Sequence, residues 1–254
     1  MKFELSLPQE LERAKQERWP IIMPLGPLEY HGWHCVYGTD VLIPLGILER
    51  FEKLRDAKMV ILPPFWYGPA SYAVASAEKG GSINVSYDAL EHLFKGIFMS
   101  LLRNGWRNIY VLIAHQTEDL NPMQLSLMKA AKAVTFEFLQ NRDGEGWWGN
   151  CSNTEFYSGM DSIEHPWNWI RVIGPLDGLD RKEIHVSSDH AGVWETSTLL
   201  ALYPECVKLD LALKSDDWFC VSGADATVEI GEKKIAVILK NLDRIVKRPL
   251  SDKT

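Results

Sequence analysis

Twelve residues near the front of the chain, Glu29-Tyr-His-Gly-Trp-His-Cys-Val-Tyr-Gly-Thr-Asp40, hold four side chains of metal-ligand type: Glu29, His31, His34 and Asp40. Glu29 and His31 stand two apart, so an extended backbone turns both to the same side. His34 and Asp40 follow, with Gly32 and Gly38 placed to let the loop fold back. Mixed imidazole and carboxylate donors suit zinc, iron or manganese, and a carboxylate can bridge two such ions. Water activated by metal would make the protein a hydrolase.

Two later segments add to this chemistry. His115 directly follows the apolar run Asn-Ile-Tyr-Val-Leu-Ile-Ala at 108–114. Further on, Ser188-Asp-His-Ala-Gly-Val-Trp-Glu-Thr-Ser197 places His190 just ahead of a helix that contains Glu195. His190 has the chemistry of a general acid or base. Asp189 reads most simply as a helix cap, and Glu195 taken alone as a solvated helix residue.

The elements that must position these groups follow from periodicity. Residues 8–18 read as a short polar helix, and 19–25 (WPIIMPL) as a buried strand stopped by Gly26-Pro27. The spacing predicts a helix over 44–57, a strand over 59–62 and a loop over 65–84. Leu90, Leu93, Phe94, Ile97, Phe98, Leu101 and Leu102 form one stripe, predicting a helix over 87–103. The run 108–114 has the signature of a parallel strand covered on both faces. Asn121-Pro122 starts a helix that runs to about 139. Residues 141–188 show no clear period, and within them the stretch 141–170, with Trp147, Trp148, Trp167 and Trp169, reads as a lid, a wall for a flat ring substrate, or aromatics filling a core or a subunit interface. Helices are expected again over 191–203 and 235–246. Strand and helix alternate, which predicts an open, mostly parallel sheet with helices on both sides. Ligands gather outside the carboxyl ends of such strands, so Glu29, His31, Asp40 and His115 are expected to converge at one edge.

Composition narrows the partners. With 254 residues, 46% hydrophobic and 24% charged, the chain reads as an ordinary globular protein. Its net charge of −7 and lack of a basic block argue against nucleic acid or an anionic membrane as partner. No run of about 18 apolar residues occurs, so no membrane span is expected, and the charged N-terminus points to the cytoplasm. Cys35, Cys151, Cys206 and Cys220 form no CxxC pair. Cys35 reads as a small residue flanking the ligand loop, since thiolate ligands usually come in sets. His92, His165 and His185 are given no role.

Three segments together resemble the creatininase (creatinine amidohydrolase) family. The family carries E-x-H-G-x-H with T-D ending six residues past the second histidine, and Glu29-Tyr-His31-Gly-Trp-His34 with Thr39-Asp40 matches it position for position. His190-Ala-Gly-Val-Trp-Glu195-Thr-Ser resembles the family's H-A-G-x-x-E-T-S. One motif departs. Where the family has N-G-H-G-G-N, or a glutamate two residues past the histidine, this chain has Ile113-Ala-His115-Gln-Thr-Glu118-Asp-Leu-Asn121, with Thr117 at the glutamate position.

The resemblance implies a three-layer α/β/α fold forming one domain over 1–254, and two divalent ions per chain, zinc with zinc, manganese or iron. Glu29, Asp40 and His115 would hold one ion. His31, Asp40 and Glu195 would hold the other, with Glu118 as the fallback for Glu195. His190 is the expected proton shuttle, and His34 would orient a ligand or the substrate. The implied activity is hydrolysis of a small cyclic amide at its C–N bond by a homo-oligomer, perhaps hexameric in the family manner. Two other readings compete: hydrolysis of a cyclic keto-sugar or an inositol-derived ketone such as 3-dehydro-scyllo-inosose on the same site, and a non-enzymatic, metal-stabilised binding protein.

Overall fold

The computed structural model describes residues 1–115, 121–150, 158–160, 164–180, 184–214 and 216–247. Its centre is a parallel sheet of four strands, β1 (Ile21–Leu25), β2 (Val60–Ile61), β3 (Ile109–Ile113) and β4 (Ile170–Ile173), in the order β2-β1-β3-β4. Leu25 pairs with Ile113, so β1 and β3 end level with each other. Both are continuously buried, as strands covered on two faces must be.

Side chains alternate between two cores. Ile21, Met23, Leu25, Ile109, Val111 and Ile113 face α1 (Pro8–Gln16), α4 (Tyr87–Arg103) and α5 (Pro122–Asp143). Ile22, Tyr110 and Leu112 face α2 (Thr39–Leu54), α6 (Val193–Leu202) and α7 (Val228–Ile245). The fold is therefore a three-layer α/β/α sandwich. A single helical turn, α3 (Ala77–Gly80), interrupts the long connection after β2.

Several boundaries differ from the sequence-based expectation. The second helix begins at Thr39 and not at Pro44, which sits inside it. Pro44 is the sixth residue, so its missing N–H leaves the Asp40 carbonyl without its helical donor, and a proline is a natural but here misleading sign of a helix start. The helix expected over 235–246 begins at Val228, where the Thr227 hydroxyl caps Ile230 N–H at 3.2 Å. Its first turns, Val-Glu-Ile-Gly-Glu-Lys-Lys, are too polar to show a stripe. β4 lies within the stretch read as irregular. The helix over 87–103 matches α4, with Ser86 as its cap. Among the described residues no helix is long and apolar enough to cross a membrane.

Sequence order explains where the chemistry sits. From β1 the chain moves outward to β2 through α2, then returns past β1 to β3 through α4. Loops leaving β1 and β3 therefore diverge at their carboxyl ends, opening a crevice of the kind that binds ligands in doubly wound sheets.

Candidate metal centre

The loop leaving β1 is folded back on itself, with Glu29 N–H donating to the Tyr37 carbonyl at 3.1 Å. Gly32 supplies the reversal: its φ is +69°, and a Cβ there would sit 2.5 Å from Cys220 Sγ. Gly38 has a negative φ, and a Cβ there would sit 2.9 Å from the Trp66 ring. Asp40 lies in the first turn of α2 and is pressed against the exit of β1. A Cβ on Gly26 would meet the Asp40 carbonyl oxygen at 2.6 Å. His115 stands two residues past the end of β3, and Glu195 in the first turn of α6.

These elements bring five expected ligands into one buried cluster. Glu29, Asp40 and His115 form one group, and His31, Asp40 and Glu195 another, each with its ligand atoms mutually within 4.8 Å. Asp40 belongs to both. Its Oδ2 lies 3.2 Å from His115 Nδ1, and its Oδ1 lies 3.6 Å from His31 Nε2. His115 Nδ1 is also 3.3 Å from Glu29 Oε2, and His31 Nε2 is 3.4 Å from Glu195 Oε2. A third overlapping group joins Glu29 and His31 to His190.

Hydrogen bonds outside the cluster set which atoms face inward. His31 Nδ1 lies 3.0 Å from the Glu29 carbonyl. A carbonyl only accepts, so Nδ1 keeps its proton and Nε2 is the nitrogen left for a cation. Glu195 Oε2 accepts from Ala191 N–H at 2.7 Å. Asp189 accepts from the N–H groups of Trp194 and Glu195 at 2.9 and 2.8 Å, so it acts as the helix cap.

The electrostatics are those of a site built for cations. Burial by itself pushes His31 down, but Asp40 and then Glu195 outweigh it and raise this imidazole to about 10. His115 behaves likewise, with burial opposed by Asp40 and then Glu29, and is also raised to about 10. Burial would raise Asp40, yet His115 and His31 draw it well below the usual carboxylate range. Glu29 Oε2, His31 Nε2, His34 Nδ1, Asp40 Oδ2 and His115 Nε2 are buried without a hydrogen-bond partner among the described residues, and all but His34 belong to the ligand groups. Each such buried atom costs about 1–3 kcal/mol unless something satisfies it. A divalent ion in each group would satisfy Glu29 Oε2, His31 Nε2 and Asp40 Oδ2, so the donor set fits two metals, with His115 presenting Nδ1 to the first.

His34 is buried but belongs to neither group. Its Nε2 lies 3.0 Å from the Ala191 carbonyl and 3.0 Å from Thr196 Oγ1. It thus grips Ala191, the residue whose N–H holds Glu195 and whose φ of +51° is uncommon for a residue with a Cβ. Burial holds the His34 ring below its ordinary pKa, against the pull of the Ala191 carbonyl. Cys35 is buried beside Thr196 and joins none of the ligand groups among the described residues.

His190 sits at the rim. Its Nε2 donates to the Tyr30 carbonyl at 2.8 Å, leaving Nδ1 directed at Glu29 Oε2 from 3.9 Å. One ring face stacks on His31 at 4.2 Å, and Phe219 meets it edge-on at 5.3 Å. The sequence reading missed Phe219, because the 3-10 helix Trp218–Asp225 that carries it has no amphipathic period. Glu118 lies outside the described residues, as do Gln116, Thr117 and Cys151. Among the expected lid tryptophans, Trp147, Trp148 and Trp167 cluster with Phe136 on α5.

Comparison with known proteins places these features in context. The family described as creatininase, creatinine amidohydrolase, matches residues 4–240. A creatinine amidohydrolase of Pseudomonas putida is 26% identical over 195 residues, covering 75% of this chain and 66% of that protein, just under two thirds of its length. A manganese creatininase structure superposes with a TM-score of 0.74 at 19% identity, over 98% of this chain and 99% of the other. A creatininase complexed with creatine gives 0.71 at 18% identity, over 96% of each chain.

Proposed function

This chain belongs to the creatinine amidohydrolase family, a family of hydrolases, and on that premise we propose that it is a metal-dependent hydrolase opening a small cyclic amide at its C–N bond. The observation that carries the proposal is the pair of buried ligand groups sharing Asp40 at the ends of β1 and β3. Glu29, Asp40 and His115 would hold one ion, and His31, Asp40 and Glu195 the other. Zinc with zinc, manganese or iron suits these donors. Divalent ions held there would supply Lewis acidity toward a carbonyl and would lower the pKa of water.

The chain's own residues do the rest. Asp40 presents one oxygen to each imidazole and fixes the separation of the two halves. Glu29 acts twice, through its carboxylate and through the carbonyl that orients His31. His190 is the proton carrier: with Nε2–H committed to Tyr30, Nδ1 is the atom that takes up a proton and delivers it to the departing nitrogen. His34 is a positioning residue, holding Ala191 so that its N–H points at Glu195. Burial of all five ligands excludes bulk water and strengthens each of these interactions.

Cys35 and Cys206 are free thiols, in keeping with a cytoplasmic setting. Leu93, Leu125, Met128 and Phe136 are exposed large hydrophobic residues on α4 and α5, in keeping with self-association. The test is a panel of five- and six-membered cyclic amides and cyclic keto-sugars incubated with metal-loaded protein. Ring-opened amino-acid products are expected. Turnover of the ketones alone would overturn the C–N assignment.

A further inference from the structure

A cavity of about 650 Å³ lies on the outer side of His190. Asp189, His190, Trp218, Phe219, Ser222 and Asp225 line it, with the loop before α3 closing one flank. His190 is shared between this cavity and the ligand cluster. The rings of His31, His190, Phe219 and Trp218 follow one another, with centroids 4.2, 5.3 and 6.0 Å apart, from the buried ligands out to solvent.

Three properties define what the cavity accepts. Its volume is in the range of about 300–1,000 Å³ that takes a drug-sized ligand, more than one small ring requires. Its wall is largely aromatic and aliphatic, which favours a flat apolar group. Its fixed charges are acidic, and no lysine or arginine lines it among the described residues. Both Asp189 oxygens already accept backbone N–H groups of α6. Asp225 is exposed to the cavity, and Ser222 accepts from Val193 N–H at 3.1 Å while keeping its own proton to donate. An anionic group entering here would meet carboxylates and no counter-charge.

We propose that this cavity is a specificity pocket for the non-reacting part of the substrate, an apolar ring substituent bearing a hydrogen-bond donor or cation that Asp225 reads. The inference rests on the hydrolase reading above and narrows its substrate class. The reacting amide would lie at the ligand cluster, with the substituent running outward along Phe219.

The test compares five-membered cyclic amides carrying N-methyl, N-benzyl, N-(4-aminomethylbenzyl) or N-(4-carboxybenzyl) groups on metal-loaded protein. Burying the phenyl ring should raise kcat/KM for N-benzyl over N-methyl by about tenfold. The amine should gain roughly threefold more and the carboxylate should lose, as a half-exposed charge contact allows. Phe219→Ala should collapse the benzyl-to-methyl ratio, and Asp225→Asn the amine-to-carboxylate ratio. Equal rates for methyl and benzyl, or a preference for the carboxylate, would overturn the pocket while leaving the hydrolase reading intact. If no amide turns over, the hydrolase reading fails. Calorimetric binding of the N-benzyl compound to wild type and Phe219→Ala then still decides the pocket.

Discussion

Glu195 Oε2 lies 3.4 Å from His31 Nε2, which brings a residue of α6 to the ligand loop that follows β1. This contact closes the second ligand group, His31, Asp40 and Glu195. Glu195→Gln should therefore reduce bound metal from about two ions per chain to about one. Glu118→Gln should leave two. Elemental analysis of purified, metal-loaded variants reads the difference, and the reverse pattern would make Glu118 the ligand.

His34 reaches Glu195 through Ala191 and Thr196. Loss of such a supporting partner costs roughly 10- to 100-fold in metal affinity or activity. His34→Leu should show a loss of that size at the second ion, measured by competitive chelation. His34→Gln, whose amide N–H can take the place of Nε2–H, should recover part of it. Equal losses in the two variants would reduce His34 to a packing residue.

His190 is within ligand distance of Glu29 and His31, so its role needs separating from metal binding. His190→Asn should lower kcat by about 10²–10⁴, the range for general acid–base catalysis, without changing metal content. A variant that loses an ion would make His190 a ligand.

Cys35 provides a pH-dependent check on the packing around the site. Burial raises its thiol to about 12, with Glu195 adding to the rise and the Thr196 hydroxyl opposing it. The folded protein therefore favours the neutral thiol. This group's contribution to stability is intact below the unfolded pKa of about 8.5 and is lost as pH rises toward about 12. At pH of about 8, mass spectrometry after iodoacetamide treatment should show Cys35 unmodified and the half-buried Cys206 alkylated. Rapid alkylation of Cys35 in the folded protein would show that the loop is open.

Much of the frame was legible in the sequence because the physics there is local. α4 announces itself through seven apolar positions and the Asn104-Gly105 stop, and β3 through an unbroken apolar run. β4 did not, because its four residues include Arg171. That guanidinium lies over the Tyr110 ring and donates to the Tyr110 hydroxyl at 3.0 Å, a partner invisible from sequence spacing. The ligand types and their order were readable because each follows a strand end or opens a helix. The His34–Ala191 grip and the Phe219 wall were not, since both join segments far apart in the chain and neither has a periodic signature.

Asp40 alone belongs to both three-ligand halves of the cluster. The direct measurement is metal content and cyclic-amide turnover of Asp40→Asn beside wild type, each loaded with the same divalent ion. About two ions and ring opening are expected in wild type, with at most one ion and turnover reduced by at least about 10³-fold in the variant. Two retained ions with undiminished turnover in Asp40→Asn would contradict this expectation.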